Sequence, residues 1–417
     1  MKKIVALLLT AAVLMSFYGC RGGREDMTGD DSSVESGARS EEKAALDEVR
    51  KSDLACPDKT VALTEEAAKL WLLAGGKLYA VCDSENEISG LSGNEKKLGK
   101  SGVVNAEEVL KLSPDHVLLD DSLPNAKELK EALSNAGIRC EDTTITSFDD
   151  YFSTVKNFCM MTKNAEAYEK AALNVRGRRT AIMRNAANEM PDLKLSLGKK
   201  KSKESGASGT AGGKDSGTER SDNVTFELIR VSSDGAAIAS NNDWVCSMLE
   251  DLGLVNLCAE EEPVAVTWKN AEKSRTTASS GTNSSSTASP AAESGTAEST
   301  DTESVLSGEE SAPSEAQDAG TESGANGEQV SAANDRDAFA KETGKNPDFI
   351  FVIYCESEKQ YRKEFEELTD SIRGWNSLKA VKSNHMITLP KESFCTLPND
   401  AWDLPMEYLY QSIFLMG

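Results

Sequence analysis

Residues 111–121 read KLSPDHVLLDD, and residues 345–356 read KNPDFIFVIYCE. Each stretch places a Pro-Asp pair before an apolar run and ends in polar residues. Pro114 and Pro347 disfavour a helix up to that point, and Asp115 and Asp348 suit the turn that follows. The apolar cores, Val117–Leu119 and Ile350–Ile353, suit strands buried on both faces, as in a parallel sheet. One chain that builds the same element twice, some 230 residues apart, predicts two similar lobes.

Working outward from the first copy, TVALT, LYAVCD and IRCEDT read as further strands. EEAAKLWLLAGG and AKELKEALSNAG read as helices closed by glycine. Glu107–Leu112 is a short helix before the Pro-Asp pair. Around the second copy, FELIRVSS, AAIAS, VNLCAE and HMITLP read as strands. WVCSMLEDLG, 337–343 and 406–415 read as helices. Strands alternating with helices predict α/β lobes with parallel-rich sheets.

Between the lobes, Phe148, Tyr151, Phe152, Val155, Phe158 and Cys159 recur at helical spacing. Ser147 and Asp150 form a capping signature ahead of them. With no Gly or Pro from Phe148 to Val175, the expectation is one long helix of about 60 Å.

Three segments fall outside the expected fold. Residues 21–50 are polar and read as a tether. Residues 198–222 are rich in Gly, Ser and Lys. Residues 271–336 contain no aromatic residue and carry twelve acids against three bases. Such compositions bury too little apolar surface to offset chain entropy, so both inserts are expected to be disordered. The expected layout is a signal segment at 1–20, a tether at 21–50, a first lobe at 51–146 and a connecting helix at 147–191. A second lobe with the two inserts then occupies 192–417.

Residues 4–17, IVALLLTAAVLMSF, follow Lys2 and Lys3 and are too short to span a membrane well. They read as a signal segment ending at FYGC, which resembles the lipobox of bacterial lipoproteins. That resemblance implies an acylated Cys20 anchoring the chain to the outer face of the membrane. The balance of 46 basic to 69 acidic side chains argues against nucleic acid as a partner. Most of the other eight cysteines sit in apolar runs and suit buried thiols, with room for one or two disulfides of unassigned connectivity. Only two histidines are present, so a histidine-based metal site is not expected. No GxSxG, P-loop or HExxH motif points to an enzyme.

Taken in order, VALTEEAAKLWLLAGGKLYAVCD, VNAEEVLKLSPDHVLLDD, WVCSMLEDLGLVNL, NPDFIFVIYCES, IRGWNSLKAVKSNHMITLP and WDLP resemble the class III substrate-binding proteins of ABC importers. The resemblance implies two Rossmann-like lobes joined by one helix, with a ligand cleft between them. It implies an exported lipoprotein, monomeric and without a resident cofactor. Its role would be to deliver an iron complex, haem or a corrinoid to a permease and its ATPase. Loops at the carboxyl ends of strands would line the cleft. They offer Thr64, Glu65, Asp83, Asp121, Asn242, Trp244, Trp268, Tyr354, Asn399 and Trp402 as ligand contacts. Aromatic faces suit flat, conjugated ligands, whereas Trp71 and Trp375 read as packing. Glu107, seven residues before Pro114, would dock the first lobe on the permease. The same count in the second lobe reaches Ala340, which leaves Asp337 as its counterpart. The alternative is a surface lipoprotein of the same fold, acting as an adhesin or sensor without transport.

Overall fold

The computed structural model describes residues 32–84, 87–121, 123–199, 222–258, 262–268 and 335–415. The signal segment, Cys20, Ser122 and nearly all of both inserts lie outside the described residues. The chain divides into two units, residues 1–48 and 49–417. Within the segment expected to be a tether, a helix spans Ser32–Arg50, and residues 21–31 lie outside the described residues. The run EEKAALDEVR is made largely of strong helix formers and contains no Gly or Pro.

The larger unit holds two sheets. In the first, β1 (Thr60–Ala62), β2 (Leu78–Asp83), β3 (Lys96–Lys100), β4 (His116–Leu119) and β5 (Arg139–Asp142) run parallel in the order β3-β2-β1-β4-β5. Helices Glu65–Leu73, Ala106–Lys111 and Ala126–Asn135 connect the strands. One side of the sheet packs Val61, Leu63, Val117 and Leu119 against Val109, Leu129 and Leu133. Trp71 is fully buried, edge-on to both Phe158 and His116. A Cβ on Gly76 would fall 2.1 Å from the Trp71 ring, so only glycine fits there.

The second sheet contains β6 (Thr225–Val231), β7 (Gly235–Ile238), β8 (Val255–Asn256), β9 (Val264–Thr267), β10 (Phe349–Tyr354) and β11 (Met386–Leu389). Its order is β11-β10-β6-β7-β9, and β8 pairs with the first residues of β6. The expected repeat of the first lobe's grammar holds for β6, β10 and β11, which are parallel. It fails at β7 and β9, which are antiparallel to their neighbours because β6 turns directly into β7.

The Pro-Asp copies match in detail. Ser113 and Asn346, each just before its proline, adopt positive φ of 48° and 61°. Asp115 accepts hydrogen bonds from the Asp58 and Lys59 amides at 3.0 and 2.9 Å, just ahead of β1. Asp348 accepts from the Thr225 amide and hydroxyl at 2.9 and 3.0 Å, at the start of β6. In each lobe the aspartate clasps the opening strand to the strand it pairs with, β4 to β1 and β10 to β6.

The connector is helical from Phe148 to Ser196 but is not one uninterrupted helix. The first helix, Phe148–Thr162, ends at Lys163, whose φ is 56°. Ala165–Tyr168 and a π-helical turn at Glu169–Leu173 then lead into Asn174–Ser196. The break comes from tertiary contacts and not from a helix-breaking residue. The Thr162 hydroxyl donates to the Ala74 carbonyl at 2.7 Å, and Asn164 caps the next segment while packing against Gly75.

Candidate functional site

The carboxyl ends of the first lobe's parallel strands bring Thr64, Asp83 and Asp121 to one edge. Thr64 is buried, and its hydroxyl caps the following helix by accepting from the Ala67 amide at 3.2 Å. Glu65 pairs with Lys69 and accepts from the Ser84 hydroxyl, so β1 and β2 are joined at this edge. Asp83 is exposed. Asp121 pairs with Lys130 and lines a shallow depression with Leu123, Pro124 and Lys127.

Two cavities involve the second lobe. One, of about 380 Å³, bridges the lobes, with Lys69, Leu72, Leu73, Glu87, Ser89 and Gly90 on one side and Asn399 and Asp400 on the other. Asn399 holds a positive φ of 50°, and its Oδ1 is buried without a partner among the described residues. Buried acceptors are rarely left unpaired. The second cavity, of about 460 Å³, opens at the carboxyl ends of β10 and β11. Tyr354, Glu356, Glu358, Lys391, Glu392 and Tyr408 line it. Carboxylates outnumber lysines in both linings.

The expected contacts therefore separate into groups. Tyr354 and Asn399 line cavities, although Tyr354 is itself buried and its phenol is pushed above the ordinary value by that burial. Trp402 is 1 % exposed, 5.6 Å from Phe148, 5.5 Å from Tyr151 and 5.7 Å from Trp244 between ring centroids. It is the centre of an aromatic cluster, and the structure assigns it to packing. Half-buried Trp244 also stacks on Phe394. Trp268 follows β9, donates its indole N–H to the Ser232 carbonyl at 2.9 Å and packs on the second-lobe core.

Asn242 follows β7, which does not run parallel to β6 as expected. Because β7 runs antiparallel, its end at Ile238 pairs with Ile229 in the middle of β6. Asn241 then hydrogen-bonds Asn256 of β8, which pairs with Phe226 at the amino end of β6. The other neighbour of Asn242, Asp243, pairs with Arg230, so Asn242 sits between those two contacts. Sequence reading also missed Lys69, Leu72, Leu73, Lys391 and Tyr408. Lys391 follows β11 and was within reach of the rule used for the other strands. The inner helix residues carry no such signal.

Glu107 and Asp337 are both exposed, each in the first turn of the helix that precedes a Pro-Asp strand. Asn105 caps the first of these helices in a reciprocal box with Glu108. The second runs over residues 335–343. His116 is fully buried, His385 stacks on Phe349, and neither lines the two cavities described above. Among the described residues no group of acidic, Cys and His side chains is placed to hold a metal ion, and no helix is long and apolar enough to cross a membrane.

No protein-family model matches the chain. No curated protein matches it either. Among solved structures it is similar to IsdE of S. aureus complexed with heme, at 12 % identity and a TM-score of 0.50, over 85 % of this chain and 98 % of that one. It is also similar to the periplasmic vitamin B12 binding protein BtuF of Vibrio cholerae (14 % identity, TM-score 0.46, 86 % and 98 % covered). An ABC transporter substrate-binding protein from Listeria monocytogenes matches at 14 % identity and TM-score 0.45, with 85 % and 97 % covered. The first of these likenesses shows a shared two-lobed α/β fold.

Proposed function

We propose that this protein is the extracytoplasmic binding component of an ABC importer. It would capture an iron chelate, haem or a corrinoid between its lobes and pass it to a membrane permease. The observation that carries this reading is the paired lobes with matching Pro-Asp clasps, in a fold shared with a heme-complexed protein over nearly all of that protein's length. Capture rather than chemistry fits a site whose lining is carboxylates, tyrosine, lysine and leucine. One lysine against two carboxylates in the bridging cavity supports a neutral or cationic ligand over a strongly anionic one.

In this reading Cys20 carries the lipid anchor. Glu107 and Asp337 meet basic partners on the permease, and Asp83, Asp121, Tyr354 and Asn399 face the ligand. A thermal-shift panel of cobalamin, haem and several ferric siderophores tests it. A true ligand at 100 times its Kd adds about 2.7 kcal/mol to stability. If no member of the panel stabilises the protein, the ligand assignment fails. If one binds but a strain carrying Glu107→Lys and Asp337→Lys still imports it normally, the docking assignment fails.

A further inference from the structure

Cys355 and Cys395 come from separate strand ends and meet beside the cavity at β10 and β11. Cys355 follows β10, and its amide donates to the Val231 carbonyl at 2.8 Å. Cys395 follows the helical turn Lys391–Phe394, and its amide donates to the Lys391 carbonyl at 2.9 Å. Each side chain lies close enough to the other to shift its thiol's protonation. Arg230 braces both sides: Nη1 lies 3.9 Å from Cys355 Sγ and donates to the Phe394 carbonyl at 3.1 Å. The same guanidinium is held by Asp243 through two bonds, at 2.5 and 2.9 Å. Both cysteines are half-buried free thiols. Their sequence neighbours Tyr354, Glu356, Lys391 and Glu392 line the cavity.

We propose that Cys355 and Cys395 are a redox pair that closes to a disulfide and tethers the loop after β10 to the loop after β11 across the cavity rim. The oxidant is a disulfide compound, whether a small molecule or a protein. The Cys355 thiolate attacks one of its sulfurs, forming a mixed disulfide and expelling one thiolate. The Cys395 thiol gives its proton to solvent and attacks the Cys355 sulfur, expelling the second thiolate. Two protein thiols are oxidised, and one external disulfide is reduced to two thiols.

The surroundings fix the order of attack. The neighbouring Cys395 favours the Cys355 thiolate against the opposing effect of burial, and the Arg230 charge adds to it. Together they hold Cys355 below its ordinary value, with Asp243 acting weakly the other way. Cys395 is raised by the neighbouring Cys355 and by burial, with Arg230 and Lys391 opposing. A low-pKa, accessible thiol attacks and its neighbour resolves. Burial pushes Cys82 and Cys159 up to about 12, which removes them as competitors. The inference is independent of the transport reading.

The test uses the reduced full-length protein with oxidised glutathione at pH 7, followed by peptide mapping. The expected product is a peptide cross-linked between Cys355 and Cys395. Iodoacetamide should alkylate Cys355 with a half-maximal rate well below pH 9. Cys395→Ala should stop the reaction at a glutathione adduct on Cys355 and move the alkylation midpoint upward. Glutathione adducts on exposed Cys56 without the 355–395 cross-link would overturn the proposal, as would an alkylation midpoint near pH 9. Both of those readings come from the unmodified chain, so the proposal remains testable if the variant does not fold.

Discussion

Asp348 and Glu227 are two buried carboxyls of the second lobe with opposite responses to pH. For Asp348 burial acts to raise the carboxyl, but hydrogen bonds from Lys199, Lys379 and Thr225 outweigh it and hold the group below its ordinary value. A depressed folded pKa contributes stability that is present above the unfolded value of about 3.8 and is lost as pH falls through the folded one. Asp348→Ala should therefore cost on the order of 2–3 kcal/mol at neutral pH, because buried donors lose a charged acceptor. Urea titration should show that the variant has lost part of the wild type's decline in acid. Glu227 in β6 is fully buried, and neither carboxylate oxygen has a protein partner among the described residues. Burial, with Glu342 nearby, raises its pKa to about 8. Here the folded state binds the proton more tightly. Stability should fall as pH rises from about 4.5 to about 8, by up to about 1.4 kcal/mol per pH unit, and then level off. Glu227→Gln should flatten that slope in denaturation measured at pH 5, 7 and 9. An unchanged slope would show that Glu227 is ionised in the folded protein.

Among the elements, the connector shows where sequence reading stops. Its amphipathic stripe and Ser147 cap were readable because they are local, but its break at Lys163 was not, because no Gly or Pro marks it. The break is set by partners distant in sequence, Ala74 and Gly75. A left-handed residue with a side chain costs roughly 1–2 kcal/mol relative to the helical region. Lys163→Gly relieves that strain and adds some unfolded-state entropy, so a net gain of about 0.5–1 kcal/mol is expected. A loss of stability on chemical denaturation would mean that the Lys163 side chain holds the turn. Two strands were missed for related reasons. β3 is a lysine-rich edge, KKLGK, without the apolar run that marks its neighbours. β9 is short and stands next to the second insert. The β6–β7 hairpin was readable as two strands, but its direction was not.

At the scale of the larger unit, the connector does more than link the lobes. Thr162 and Asn164 fasten it to the first lobe. Arg179 pairs with Asp251 on the second-lobe helix, and Arg178 pairs with Asp403 at the start of the C-terminal helix. Phe148 and Tyr151 of the connector close around Trp402 and, through it, Trp244. A connector packed on both sides resists a wide hinge, since hinges need a few residues free to absorb large backbone changes. The left-handed turn at Lys163 offers no such freedom because the residues on either side of it are engaged. The expected motion on ligand capture is a shift of no more than about 1–2 Å between packed elements. Solution scattering with and without the ligand identified by thermal shift should give nearly superimposable curves. Trp402→Ala should cost about 3–5 kcal/mol by emptying the cluster, and it should widen the difference between the two curves. A large compaction in the unmodified protein would show that the aromatic cluster opens during capture and that the lobes move as independent bodies.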